Sequence, residues 1–197
     1  MSFTKEFFES SAWQDIRWMG IQIFKNPMDL FIYQEIIFDK KPEYIIECGT
    51  GFGGSALYMA SVMDAVGVGE IISIDTRAAN DKPAHPRVKY MLGSSIAIDV
   101  FNRIKEIVGD KSCMVILDSD HTMPHVLEEL SLYSTLVTPG QYLIVEDTCM
   151  TELGISGDGG PKEALDEFMK NENSFSVDKS REKLLTTFNP GGYLLKK

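Results

Sequence analysis

Residues 43–60 read EYIIECGTGFGGSALYMA, and this stretch decides the fold. A short β-branched run ends in an acid, Glu47. A turn follows with glycines at 49, 51, 53 and 54, and then an apolar segment at helical spacing. Strand, glycine turn and helix in immediate succession form the opening unit of a sheet whose parallel strands are joined by helices.

The same alternation continues downstream. EIISID (70–75) and RVKYML (87–92) read as strands and IAIDVFNRIKEIV (96–108) as a helix. SCMVILD (112–118) is a strand, PHVLEELSLYSTLV (124–137) a helix closed by Pro139-Gly140, and QYLIVED (141–147) a further strand. The tail breaks the pattern. After the helix PKEALDEFMK, the runs FSVDK and GYLLKK are joined without a crossover helix, so they are expected to pair antiparallel at one edge. Upstream, NPMDLFIYQEIIFDKK (26–41) reads as a helix with Asn26 as its cap and Pro27 in its first turn. The expected architecture is α/β: a mostly parallel seven-stranded sheet with an antiparallel C-terminal edge hairpin and helices on both faces. The expected organisation is an N-terminal helical segment, 1–40, packed on a single domain, 41–197.

Composition narrows the function classes. With 197 residues the chain suits one well-filled core, and its net charge of -10 argues against a nucleic-acid partner. No apolar run is long enough to span a bilayer, and the N-terminus MSFTKEFFESSAW lacks the apolar centre of a signal peptide. Cys48, Cys113 and Cys149 are odd in number and far apart, which suits reduced thiols in a cytoplasmic protein. Aromatics near the N-terminus (Phe7, Phe8, Trp13, Trp18) are expected to serve core or interface packing rather than substrate binding.

Ligands bind such sheets beyond the carboxyl ends of the strands. Every polar cluster here falls at such an end: Glu47 to Gly54, Asp75, Gly93-Ser94-Ser95, Asp118 to His121, and Glu146-Asp147. Glu47, Gly49, Thr50, Gly51, Gly53, Gly54, Ser55, Asp75, Gly93, Ser94, Ser95 and Asp118 are the expected cofactor-binding residues. Asp75, about 26 residues after Gly49, is placed to accept from the hydroxyls of an adenosine ribose. The spacing of Gly49, Gly51 and Gly54 also satisfies the dinucleotide pattern, so an NAD-dependent oxidoreductase stays open. Glu47 just before the first glycine would repel a pyrophosphate, which favours the cationic S-adenosylmethionine. A non-catalytic cofactor-binding protein is the other alternative.

At the second cluster, Asp118, Glu146 and Asp147 end neighbouring strands. Converging carboxylates need a cation, and oxygen ligands suit Mg²⁺, with Mn²⁺ or Ca²⁺ as substitutes. His121, three residues after Asp118, suits a general base. Asp120 is either a further acid of the metal shell or the group that orients His121. Thr122 reads as the cap of the following helix, which leaves His125 in the first turn as a structural residue. The glycine-rich CMTELGISGDGGPK (149–162) reads either as a lid or as an exposed connection.

Taken together, KNPMDLFIYQE, IIECGTGFGGSALYMA, GSS, ILDSDHTMPHVLEEL, LVTPGQYLIVEDT and FNPGGYL resemble the cephalosporin hydroxylase-type family, from about Trp18 to the C-terminus. That family contains class I S-adenosylmethionine-dependent methyltransferases, including O-methyltransferases acting on sugars of natural products. The resemblance implies a Rossmann-like class I methyltransferase fold, a metal held by Asp118, Glu146 and Asp147, and His121 as base. It also implies a small-molecule hydroxyl acceptor and a homo-oligomer. Cys48 and Phe52 depart from the family pattern, where Thr and Arg respectively are usual.

Overall fold

A computed structural model describes residues 3–78 and 81–197. Met1 and Ser2, the start of the expected 1–40 segment, lie outside the described residues. The central sheet is built from β3 (Tyr44–Cys48), β4 (Glu70–Asp75), β5 (Val88–Leu92), β6 (Cys113–Leu117), β7 (Tyr142–Val145), β8 (Phe175–Val177) and β9 (Tyr193–Lys196). Its order is β5-β4-β3-β6-β7-β9-β8. The first five are parallel. Only β9 runs the other way, pairing antiparallel with β7 on one side and β8 on the other.

Strand composition explains this order. All five residues of β6 and all four of β7 are buried, as central parallel strands covered on both faces must be. The edge strand β5 is half exposed. Alternate side chains feed two cores. On one face Ile46, Ile72, Val115 and Leu143 pack against α4 (Ile98–Val108), α5 (Met123–Tyr133) and the helix Pro161–Met169. On the other, Ile45, Ile71, Met114 and Ile144 pack against α2 (Pro27–Lys40) and α3 (Gly54–Val66). Asn26 caps α2 as its sequence indicates, its side chain accepting from Met28 N at 3.0 Å.

The N-terminal segment holds more than helix. Between α1 (Phe3–Glu9) and α2 lies a two-stranded hairpin, β1 (Arg17–Trp18) and β2 (Ile21–Gln22). It turns through Met19 and Gly20, at φ 47° and 85°, the positive-φ pair that two-residue hairpin loops favour. Gln22 lies so close to the start of α3 that a Cβ on Gly54 would overlap its carbonyl oxygen. The hairpin is thereby anchored beside the glycine turn. Among the described residues no helix is long and apolar enough to cross a membrane, and the three cysteines are free and buried.

Candidate active site

The order reverses between β3 and β6, and there the strand tips meet. Asp118 N donates to Cys48 O at 2.9 Å, and Gly49 N to Ile74 O at 2.9 Å. Gly49 has φ 95°, and a Cβ on it would overlap the carbonyl oxygen of Asp118, so only glycine lets the two tips approach. Gly51, at φ 54°, differs: a Cβ there would meet nothing within 4 Å. Its amide donates to Asp75 Oδ2 at 3.0 Å, while Asp75 Oδ1 accepts from Arg77 N at 2.8 Å.

Asp75, Gly93, Ser94 and Ser95 line a crevice of about 390 Å³ that also touches Gly49, Gly51 and Asp118. His125 belongs to this crevice as well, its Nε2 3.1 Å from both Ser95 Oγ and Ser119 Oγ. Other residues expected at the cofactor stand elsewhere. Thr50, Gly54 and Ser55 border a second cavity. Glu47 lines neither: it is wholly buried beneath the turn, accepting from Ser73 Oγ at 2.5 Å and from Ser55 Oγ. Burial pushes its carboxyl up to about 7, with Lys25 and the two serine hydroxyls opposing. Gly53 also lines neither, because Pro83 and Tyr90 pack over it.

At the next strand ends, His121 Nε2 lies 3.3 Å from Asp118 Oδ1 and 3.4 Å from Asp147 Oδ2. One ligand atom from each of the three falls within 4.8 Å of the others. Burial alone would lower the imidazole pKa. The bond to Asp118 and the charges of Asp147, Asp118 and Glu146 outweigh it and raise His121 to about 9. Asp120 is not among these three: its Oδ1 accepts from Thr122 N at 2.9 Å. That aspartate opens α5, and the side chain of Thr122 forms no cap.

Glu146 turns away from this trio. Its Oε1 accepts from Tyr33 OH at 2.8 Å and its Oε2 from Lys25 Nζ at 2.5 Å. Lys25 Nζ also contacts Asp118 Oδ2. The side chain of Lys25 is 4% exposed, and although burial opposes its charge, Asp118, Glu146 and Glu47 together raise its pKa. The path continues from Tyr33 OH to Asn189 Nδ2, and Asn189 Oδ1 accepts from Asp147 N at 3.0 Å. Asp147 sits at φ 55°, which aims its carboxylate toward His121 while Glu146 beside it faces Tyr33. Lys25, Tyr33 and Asn189 are not among the expected site residues, though all three fall within KNPMDLFIYQE and FNPGGYL.

The second cavity, about 570 Å³, opens on His121, Asp118 and Asp147. Phe8, Trp13, Phe24 and Phe188 form much of its wall. Phe8 stacks on Trp13 with centroids 5.3 Å apart, and Trp13 meets Phe188 edge-on at 6.1 Å. Phe8 and Trp13 pack as expected, against each other and Phe188, and their cluster also walls the cavity, because the hairpin carries this segment over the strand ends. Trp18 does pack, against Tyr58. In the 149–162 connection, Met150 and Ile155 reach the same cavity, and Gly159 O accepts from Met123 N.

The family described as rhamnosyl O-methyltransferase/CmcI matches residues 10–197. The chain belongs to that family. It is 32% identical to a rhamnosyl O-methyltransferase of Mycobacterium leprae over 204 residues, 99% of this chain and 89% of the relative. To a rhamnosyl O-methyltransferase of Mycobacterium tuberculosis it is 34% identical over 207 residues, 98% of this chain and 83% of the relative. A solved structure of CmcI with Mg and S-adenosylmethionine superposes with a TM-score of 0.72 at 18% identity, covering 93% of this chain and 77% of that one. A structure of MycE, a methyltransferase from the mycinamycin biosynthetic pathway, with Mg and S-adenosylhomocysteine gives 0.53 at 23%, covering 67% and 35%. This member of the rhamnosyl O-methyltransferase/CmcI family is an S-adenosylmethionine-dependent O-methyltransferase with the class I fold. The oxidoreductase and binding-only alternatives fall with that assignment.

Proposed function

We propose that the chain transfers the methyl group of S-adenosylmethionine to a hydroxyl of a sugar or natural-product acceptor, with His121 as the base and a divalent cation, Mg²⁺ first, at Asp118 and Asp147. One observation carries this reading. The two cavities share Gly49, Gly51 and Asp118, while His121 and Asp147 face only the second. A donor in the first crevice and an acceptor in the second would meet at the Asp118 strand tip.

The residues present fit both groups. Gly51 offers open space and a backbone amide beside Asp75, as a nucleoside needs. Carboxylate oxygens of Asp118 and Asp147, with the His121 nitrogen alongside, form a donor set of the hard type that suits Mg²⁺; Glu146 adjoins it through Lys25. When bound, such an ion supplies Lewis acidity to an acceptor hydroxyl. His121 Nε2, the atom that would take the hydroxyl proton, is the one now shared between Asp118 and Asp147. Once those carboxylates have another cation to neutralise them, the imidazole is free to act as a base. The apolar walls from the 1–40 segment, on this reading, orient the acceptor and exclude water above the 41–197 domain, where alignment of the reacting groups contributes about 7–11 kcal/mol.

The test is transfer of a labelled methyl from S-adenosylmethionine to a panel of rhamnosides and other vicinal diols, with Mg²⁺ or with EDTA. Metal-dependent labelling of a sugar hydroxyl supports the reading. Labelling that persists in EDTA, or that goes to nitrogen or carbon, overturns it.

A further inference from the structure

Lys25 is a buried cation at the centre of the acids, and the proposed chemistry gives it no part. It arrives by an unusual route. Phe24 before it has φ 48°, a conformation costing about 1–2 kcal/mol for a residue with a side chain. That backbone bend sends the Phe24 ring outward against Trp13 and Phe52 and the Lys25 side chain inward. Asn26 after it is fixed by capping α2 and by donating to Thr186 Oγ1 at 3.1 Å. A lysine held on both sides in this way is built into the site.

Its ammonium joins Asp118, just past β6, to Glu146, just past β7; the Glu146 contact is buried and the Asp118 contact half-buried. Asp118 presents its other oxygen to His121. Through Glu146, Tyr33 and Asn189 the same network reaches the backbone of Asp147. The two acids that face the cavity therefore hang from one bonded chain that begins at Lys25.

We propose that Lys25 is a positioning residue of the cation site: a built-in monovalent charge that holds Asp118 and Glu146 in place without metal and weakens the hold of the site on a divalent ion. This rests on the divalent-cation reading of Asp118 and Asp147. A unit charge a few ångströms away, screened little by solvent, opposes an incoming cation strongly. Removing it leaves the acids with surplus negative charge, so the site binds a divalent ion more tightly while the metal-free protein loses stability.

The experiment is Mn²⁺ binding, followed by the loss of its solution EPR signal, on wild type, Lys25→Met and Lys25→Arg. Lys25→Met is expected to tighten Mn²⁺ about tenfold or more, and Lys25→Arg, which keeps the charge, to stay within about threefold of wild type. Equal or weaker Mn²⁺ binding by a folded Lys25→Met protein would overturn the inference, because a purely structural lysine would give that result. If Lys25→Met fails to fold, the comparison moves to the Glu146→Gln background, where one acid fewer offsets the missing ammonium. There Lys25→Met must still bind Mn²⁺ more tightly than Glu146→Gln alone, and failure to do so overturns the inference equally. A wild type that binds no Mn²⁺ would remove the cation site itself, and Lys25's role with it, whereas wild-type binding unaffected by Lys25→Met would remove only the latter.

Discussion

Asn189 holds the backbone of Asp147: its Oδ1 accepts from the Asp147 amide at 3.0 Å, and the residue it holds has φ 55°. Neither feature makes sense alone. A left-handed aspartate is costly, and a buried asparagine needs partners. Together they aim one carboxylate at His121, and Tyr33 completes the arrangement by accepting from Asn189 Nδ2 at 3.2 Å. Asn189→Ala is therefore expected to cost about 1–3 kcal/mol in urea denaturation, from the Asp147 amide left without its acceptor. It should also reduce the stabilisation that Mg²⁺ confers. A variant with wild-type metal response would mean that Asp147 holds its geometry unaided.

Two glycines in one turn should respond differently to the same substitution. Gly49→Ala places a Cβ on the Asp118 carbonyl, forcing the β3 and β6 tips apart, with an expected loss of about 3 kcal/mol or more. Gly51→Ala meets no protein atom and should cost about 1–2 kcal/mol of backbone strain. It nevertheless fills space beside Asp75, so its main effect should be on S-adenosylhomocysteine. In a thermal-shift titration, wild type at a hundredfold excess over Kd gains about 2.7 kcal/mol. Gly51→Ala should lose most of that gain while remaining folded, and a full gain would place the donor away from this turn.

Alternating β-branched runs and glycine turns made the sheet legible in the sequence, because parallel strands buried on both faces have few other ways to be written. The strand ends were legible for the same reason: Asp75, Asp118 and Asp147 stand where a chain leaves the sheet. Lys25 was not. A lysine reads as solvent-facing in any pattern, and only its partners Asp118 and Glu146, far along the chain, make its burial tolerable. Asn189 and Tyr33 were hidden likewise, since their contact spans most of the chain. Glu47 was placed correctly on its strand, but the pleat turned it under the turn, toward Ser55 and Ser73. For Phe8 and Trp13, composition indicates packing but not that the packed cluster also walls a cavity, and the hairpin that places it there has strands of only two residues.

Asp29 gives a stability prediction with a definite sign. It is buried in α2, accepting from Phe188 N and Tyr193 OH at 2.8 Å each. Burial raises its carboxyl from 3.8 to about 6, against the opposing bonds from Thr187, Phe188 and Tyr193. A raised folded-state value means the folded protein binds the proton more tightly than the unfolded chain. The contribution is fully present below about pH 4 and is lost as pH rises through about 6, by up to about 3 kcal/mol. Asp29→Asn lacks this titration. Relative to wild type, the variant should gain stability between about pH 4.5 and about pH 7.5 in urea melts. A difference that stays constant across that window would show that Asp29 ionises as freely folded as unfolded.

His121 and Asp75 separate chemistry from donor binding, because they line different cavities. His121→Ala should lower kcat by roughly 10²–10⁴ and leave S-adenosylhomocysteine affinity unchanged. Asp75→Ala should do the reverse, weakening the homocysteine compound about tenfold while turnover at saturating donor persists. Isothermal titration and single-turnover methyl transfer, run on both variants, check the crossing pattern. If Asp75→Ala instead abolished turnover with affinity intact, the first crevice would hold the acceptor. If His121→Ala weakened donor binding with turnover intact, the base would have to lie elsewhere, and Asp147, which faces the second cavity and not the first, would be the next residue to change.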